Sequence, residues 1–385
     1  MNVLVVPMFA LSRMGGPWSR AQAVAAAFRD AGHRVVLGMA DDGNCANPCV
    51  SDVVQLPVPA PLGLPMAVSS RTFPLAERLG ISGRKPVHSF EEVLWLTGAL
   101  APKYELQSVS ALCEVIEAYG IDAVYSEYSL PAIIASRALG VPVFGSFSYT
   151  TQASFACAPG KSKGLRKLLR EIGLAQVDSA LELFSWLEQR FVPSCYELEP
   201  IDDAKTEFAG FMREAPTLES AKRDCILVYL GAGSVPQRKV ERVVAAALGD
   251  LGCDVYVAGC EKQRCEASVQ FAPRFDFGKL LPRACCFVHH GGQNSTMDAL
   301  AYGVPQVVVP GRVFERIYNA QSVERAGAGV RLGSFDSGAL RDACRRVIAT
   351  PSFSDASLVI RQTLIECGGV EHIVSSVEKA VTATR

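Results

Sequence analysis

The first ten residues, MNVLVVPMFA, form an apolar run that reads as a buried strand. It reads as neither a signal peptide nor an anchor, because it carries no basic segment and a polar loop follows it. Beyond that loop, in RAQAVAAAFRDAGHRVVLGMA, Ala and Phe gather on one helical face, Gly32 closes the helix, and valines open a second strand. Strand, helix and strand in this order begin a doubly wound sheet. The stretch PVPAPLGLP, from Pro57 to Pro65, breaks the pattern, and the chain stays irregular to about Lys85, as a surface loop does. SVSALCEVIEAYGIDAVYSEYSLPAIIASRALGVPVFGSFS then gives helix, strand, helix, strand, with a strand over 122–126 and Glu127 at its C-terminal end. Leu165, Leu168, Leu169, Ile172 and Leu174 are spaced for the buried face of a helix within 164–189. FVPSCYELEPI follows as a last strand and the start of a linker that ends around Glu219.

The alternation restarts at DCILVYLGAGSVPQRKVERVVAAAL, a buried strand, a glycine turn and a helix. CDVYVAGC is the next strand, 275–277 a short one, and 279–282 a helical step. At FVHHGGQNSTMDALAYGVPQVVVP an apolar strand ends in His289 and His290, turns through Gly291 and Gly292, and enters a helix. Three valines between two prolines make a further buried strand, with Glu315 and Asn319 expected on a loop at its C-terminal end. Helical stretches fill 338–385. The chain thus divides into an α/β half over 1–212, a second over 220–360, and a closing helical segment over 361–385.

The strand, glycine turn and helix around His290 form an anion site. The first N–H groups of a helix lack intrahelical partners, and the helix dipole favours a phosphate there. Ser295 and Thr296 add hydroxyl donors, and His290 adds another. Asp298, one turn along, accepts hydrogen bonds only and suits a vicinal diol such as a ribose edge.

HHGGQNSTMDALAYGVPQVVVP followed by FERIYNAQSVERAGAG resembles the donor-binding segment of nucleotide-sugar-dependent glycosyltransferases of family 1, with family 28 related. The resemblance implies the GT-B fold, two Rossmann-like doubly wound domains facing each other across a cleft, with the last helix packing back on the first domain. It implies that His290, Gly292, Asn294 and Ser295 hold the diphosphate and Asp298 the ribose. Gly233 and Ser234 fall at the family's second phosphate contact, and Phe277 and Leu280 where the base is received. The acidic-plus-Gln pair that holds sugar hydroxyls falls on Glu315 and Arg316, with Asn319 behind it. A guanidinium in place of an amide makes an acidic sugar worth testing beside neutral hexoses.

One position departs further. The family's catalytic His in the first loop falls near Pro17, and no His is there. Glu127 matches the acidic residue behind that His and becomes the candidate general base, or it pairs with Arg13 or Arg20. His88 is the second candidate for the base. The implied activity is an inverting transfer of a sugar from a UDP- or dTDP-sugar to a small-molecule or lipid-like acceptor. No cofactor or metal is required, since the nucleotide-sugar is a co-substrate. The alternative is a non-catalytic nucleotide-sugar-binding or auxiliary protein.

Composition narrows this. Across 385 residues, 49% are apolar and 20% charged, enough for buried cores and against disorder. A formal charge of −1 without Lys/Arg runs leaves no electrostatic footprint for nucleic acid. The thirteen cysteines are scattered, and only Cys45 and Cys49 approach metal-ligand spacing, with no second pair to complete a set. Reduced thiols in the cytoplasm fit this usage. No apolar stretch is long enough to span a membrane, so membrane contact is expected to be peripheral at most.

Overall fold

The computed structural model describes residues 1–11, 15–64, 68–69, 72, 86–218, 222–231 and 235–384. It divides into two compact units, Met1–Pro74, His88–Arg213 and Cys367–Arg385 in the first, Leu75–Val87 and Glu214–Glu366 in the second.

The first unit runs β1 (Asn2–Pro7), α1 (Gly15–Asp30), β2 (Arg34–Met39), β3 (Asp52–Gln55), α2 (Phe90–Thr97), α3 (Pro102–Tyr119), β4 (Ala123–Glu127), α4 (Leu130–Leu139), β5 (Val143–Ser146), α5 (Lys163–Glu171), β6 (Gln189–Val192) and β7 (Thr206–Phe208). Its sheet has the order β3-β2-β1-β4-β5-β6-β7, every pair parallel. The order reverses between β1 and β4, whose last residues Pro7 and Glu127 are in register. Open α/β sheets take ligands at the carboxyl ends of strands at such a reversal. The helix expected across 164–189 is shorter. α5 stops at Glu171, because Gly173 at φ +75° turns the chain out of the helix, and only a 3₁₀ segment, Ala180–Trp186, follows. Leu165, Leu168 and Leu169 are buried as their spacing implies.

α3 starts with a proline in its first turn and ends at Gly120, φ +55°. Asn2 Nδ2 donates to the carbonyls of Tyr119 and Gly120, at 3.0 Å each, which fixes the C-terminus of α3 beside the start of β1. Eighteen helical residues span about 27 Å. The N-terminus of α3 therefore lies towards the carboxyl edge of the sheet.

The second unit runs β8 (Cys225–Tyr229), α6 (Gln237–Leu248), β9 (Asp254–Ala258), β10 (Arg264–Glu266), β11 (Val269–Ala272), α7 (Phe277–Leu280), β12 (Ala284–His289), α8 (Gln293–Ala301), β13 (Gln306–Val308), α9 (Phe314–Arg325), β14 (Gly329–Arg331), α10 (Ser337–Ala349) and α11 (Ser352–Glu366). Its order is β10-β11-β9-β8-β12-β13-β14, parallel except for the β10–β11 hairpin, with the reversal between β8 and β12. The strand expected at 275–277 is not formed. Pro273 lacks an N–H to donate beyond β11, and Asp276 stands at the N-cap of α7, so Phe277 opens a helix. Glu315 and Asn319 lie on α9 instead of a loop, since FERIYNA holds no helix breaker.

The last helix, α12 (Gly369–Thr384), belongs to the first unit. Its Ile373, Val374, Val377 and Val381 share a core with Trp18, Val24 and Phe28 of α1, and Glu378 meets His33 Nε2 at 2.8 Å. Among the described residues no helix is long and apolar enough to cross a membrane.

Candidate functional site

The two adjacent histidines at the end of β12 do different work. His289 is fully buried; its Nδ1 accepts from Gly291 N at 3.1 Å, so its Nε2 donates to Gln306 Oε1 at 2.8 Å. Both nitrogens are used inside the unit, and burial lowers its pKa to about 4. His290 is turned the other way. Its ring meets Tyr229 edge-on at 5.7 Å, and its Nδ1 has no hydrogen-bond partner. Burial, and then the Arg316 guanidinium, lower its pKa to about 3. A hydrogen bond with the Tyr229 backbone opposes that shift; the neutral form that burial favours has one N–H donor and no charge.

Two glycines make room for this ring. A Cβ on Gly231 would lie 3.4 Å from His290 Cε1, and one on Gly292 2.6 Å from its Nε2. Gly292 is also the N-cap of α8, so the positive end of that helix begins beside the imidazole. On α8, Asn294 is exposed, Ser295 buried and Asp298 half-buried; Asn294 and Asp298, four apart, share a face. Asn319 of α9 is buried and donates to the Gly291 carbonyl at 2.8 Å, so it holds the turn itself. Glu315 and Arg316 are half-buried in the first turn of α9. Burial lowers the pKa of Arg316 while Glu315 opposes the shift.

Phe277 meets Tyr229 and Phe287 edge-on, at 5.8 and 5.7 Å, so it stands next to the aromatic that supports His290. Leu280, also read as base-receiving, is spent in the core with Cys225, Leu227 and Phe287. Gly233 and Ser234 lie outside the described residues. Sequence reading missed Tyr229, and its one signal was its place as the last residue of a strand before a glycine turn.

The neighbouring glycines should respond differently to alanine. Gly291 has φ +80°, and its Cβ would sit 2.9 Å from both the Arg316 carbonyl and Val308 Cγ1. Gly291→Ala is expected to cost about 1–3 kcal/mol of stability in urea unfolding. Gly292 has φ −69°, which alanine adopts freely, so Gly292→Ala should unfold near the unaltered midpoint while displacing the imidazole. Equal losses of stability in the two variants would refute this division.

In the first unit Glu127 is fully buried at the end of β4. Its Oε1 accepts from Arg20 Nε at 2.6 Å and its Oε2 from Ser146 Oγ, which lies 2.9 Å from Tyr125 Oη. Burial raises its pKa and Arg20 opposes that rise. Each oxygen is therefore engaged by a donor, and Arg20 is one of the two partners that the sequence offered for Glu127. Tyr128, next in the chain, has φ +61°, uncommon for an aromatic, and lies under the Arg20 guanidinium at 5.7 Å. His88 is exposed just before α2; its backbone N–H donates to Glu92 Oε2 at 2.7 Å, beside the Ser89 cap.

Comparisons with known proteins agree with this architecture. Residues 244–378 match the family described as erythromycin biosynthesis protein CIII-like, C-terminal domain. The structure of spinosyn rhamnosyltransferase SpnG matches 98% of this chain and 100% of its own, with a TM-score of 0.73 at 16% identity. In complex with thymidine diphosphate the same protein gives 0.70. The chain has the GT-B fold of its structural neighbours. This GT-B chain is 35% identical over 132 residues to the aclacinomycin-T 2-deoxy-L-fucose transferase of Streptomyces galilaeus, covering 34% of this chain and 29% of the relative. It is 30% identical over 177 residues to the O-mycaminosyltylonolide 6-deoxyallosyltransferase of Streptomyces fradiae, covering 43% and 41%. The aligned stretches span less than half of either relative.

Proposed function

We propose that this protein transfers a sugar, with inversion, from a UDP- or dTDP-sugar to a small-molecule or lipid-like acceptor in the cytoplasm. The observation that carries the reading is the neutral, half-used His290 at the end of β12, walled by two glycines and set at the start of α8. A diphosphate leaving group gathers negative charge as its bond to the sugar breaks. A helix N-terminus, a hydrogen-bond donor and the nearby Arg316 stabilise that charge without a metal. The names of the related sugar transferases, and the thymidine diphosphate in the SpnG complex, support this choice of donor. Asp298 is assigned to the ribose, and Glu315 and Arg316 to the sugar, with an acidic sugar tested beside neutral ones.

Calorimetric titration with UDP and with dTDP tests the reading. Micromolar binding of one of them is expected, weakened at least tenfold in His290→Ala. Absence of binding to either nucleotide would overturn it. A second reading, a GT-B protein that binds a nucleotide-sugar without chemistry, draws on the engagement of Glu127 by Arg20 and Ser146. Release of free UDP or dTDP from a donor in the presence of acceptor separates the two.

A further inference from the structure

Four carboxylates are buried among the described residues: Glu91, Glu105, Glu127 and Glu199. Three are occupied. Glu91 accepts from Ser162, Ser179 and the backbone of Ala158 and Ala180, Glu127 from Arg20 and Ser146, and Glu199 from Tyr149 N. Glu105, in the first turn of α3, is 0% exposed and neither oxygen has a hydrogen-bond partner. One turn on, Ser108 Oγ is also buried, with the Tyr104 hydroxyl as its neighbour. Buried polar groups are nearly always satisfied, and a carboxyl left without a donor costs stability that an apolar side chain would not. A buried carboxyl without a donor, with a buried hydroxyl one turn on, marks a place kept polar for something that arrives.

The topology says where that place is. The C-terminus of α3 is tied to the start of β1 by Asn2, so its first turn lies towards the carboxyl edge of the sheet, where Glu127 also ends β4. Asp42, which follows β2, acts electrostatically on Tyr104, the neighbour of Glu105. Asp42 itself is held by the N–H groups of Ala10, Asn44 and Cys45. Among the described residues no cation acts on Glu105. Burial alone raises its pKa to about 8; Tyr104 is the titratable group beside it among the described residues, and Asp42 acts on Tyr104 in turn.

We propose that Glu105, with the Ser108 hydroxyl, is the subsite of the first unit that receives the reacting hydroxyl of the acceptor and takes its proton. This rests on the glycosyl-transfer reading. In the step, the acceptor O–H proton passes to a Glu105 oxygen as the acceptor oxygen forms its bond to the anomeric carbon. The bond from that carbon to the diphosphate oxygen breaks, and its electron pair leaves with the nucleoside diphosphate. A carboxyl that ionises close to working pH suits proton acceptance, whereas Glu127 is already bound on both oxygens.

The test compares the full-length protein with Glu105→Gln and Glu105→Met. The probes are UDP- and dTDP-sugars with a panel of simple phenols and alcohols as acceptors. Turnover of the unaltered protein should rise with pH, reach half its maximum near 8 and level off above that. Glu105→Gln should lower kcat at least a hundredfold and abolish that limb, with UDP or dTDP binding unchanged. Glu105→Met should be equally inactive but melt at a higher temperature, because it removes a buried group that nothing satisfies. Glu105→Gln with the unaltered rate and pH limb would overturn the assignment, as would a lower melting temperature in Glu105→Met. Absence of turnover by the unaltered protein with every donor would overturn the transfer reading and this proposal with it.

Discussion

Arg20→Met is expected to lower the stability of the protein by about 3–5 kcal/mol at pH 7, the usual cost of stranding one partner of a buried ion pair. Glu127 is fully buried, and Arg20 Nε lies 2.6 Å from its Oε1; without that cation, the Ser146 hydroxyl is the one donor left to it among the described residues. Burial already raises the pKa of Glu127 with Arg20 in place, so removal of the guanidinium pushes it higher still. The carboxyl then folds by taking up a proton. The loss should therefore shrink as pH falls, because protonation removes the charge that has no partner. Pairing Arg20→Met with Glu127→Gln should recover much of the loss, since two neutral side chains of similar shape need no ion pair. Urea unfolding of the two single variants and the double at pH 5 and pH 7 measures the coupling. A loss below 1 kcal/mol in Arg20→Met would show that water or another group compensates Glu127.

That pair also shows what a sequence can reveal. Arg20 and Glu127 lie 107 positions apart, and only the return of β4 alongside β1 brings them together. From residues alone Glu127 read as a base or as the partner of Arg13 or Arg20. His290 and Gly292 were legible because a strand, a glycine turn and a helix are consecutive in the chain and carry their chemistry with them. Glu315 and Asn319 were misplaced on a loop because Pro310 and Gly311 mark a turn after β13, while the start of α9 so soon beyond it, at Phe314, carries no side-chain cap to announce it. Tyr229 was missed because its role comes from ring contacts to His290 and Phe277, which lie far along the chain. Glu105 was illegible for a further reason. A glutamate in a first helical turn is ordinary for its interaction with the helix dipole, and only the packed structure shows that this one is buried without a donor.

The two units should respond to pH with opposite signs. In the second, His289 has a folded pKa of about 4 against an ordinary 6.5, and His290 one of about 3. Between these values the unfolded chain binds more protons, so stability is present above pH 6.5 and is lost as pH falls towards 4. For His289 alone the full window is worth about 3 kcal/mol. In the first unit Glu105 has a folded pKa of about 8 against an ordinary 4.5, and Glu127 is raised as well. There the folded state binds more protons, so stability is present below pH 4.5 and is lost as pH rises towards 8, by about 5 kcal/mol for Glu105 over the full window. Surface carboxylates with lowered pKa, Asp203 in the first unit and Asp250 in the second, act in the same direction in both and leave the contrast in place. Native-state hydrogen exchange at pH 5 and pH 7.5, corrected for intrinsic exchange, reads the units separately through the amides of β4 and β12. Protection of β4 should fall with rising pH and that of β12 should increase. Glu105→Gln should flatten the first slope and leave the second, which ties the acid-favoured stability of the first unit to the carboxyl proposed to take the acceptor's proton. Slopes of the same sign in both units would refute the neutral state of Glu105 or of the two histidines, and the variant identifies which.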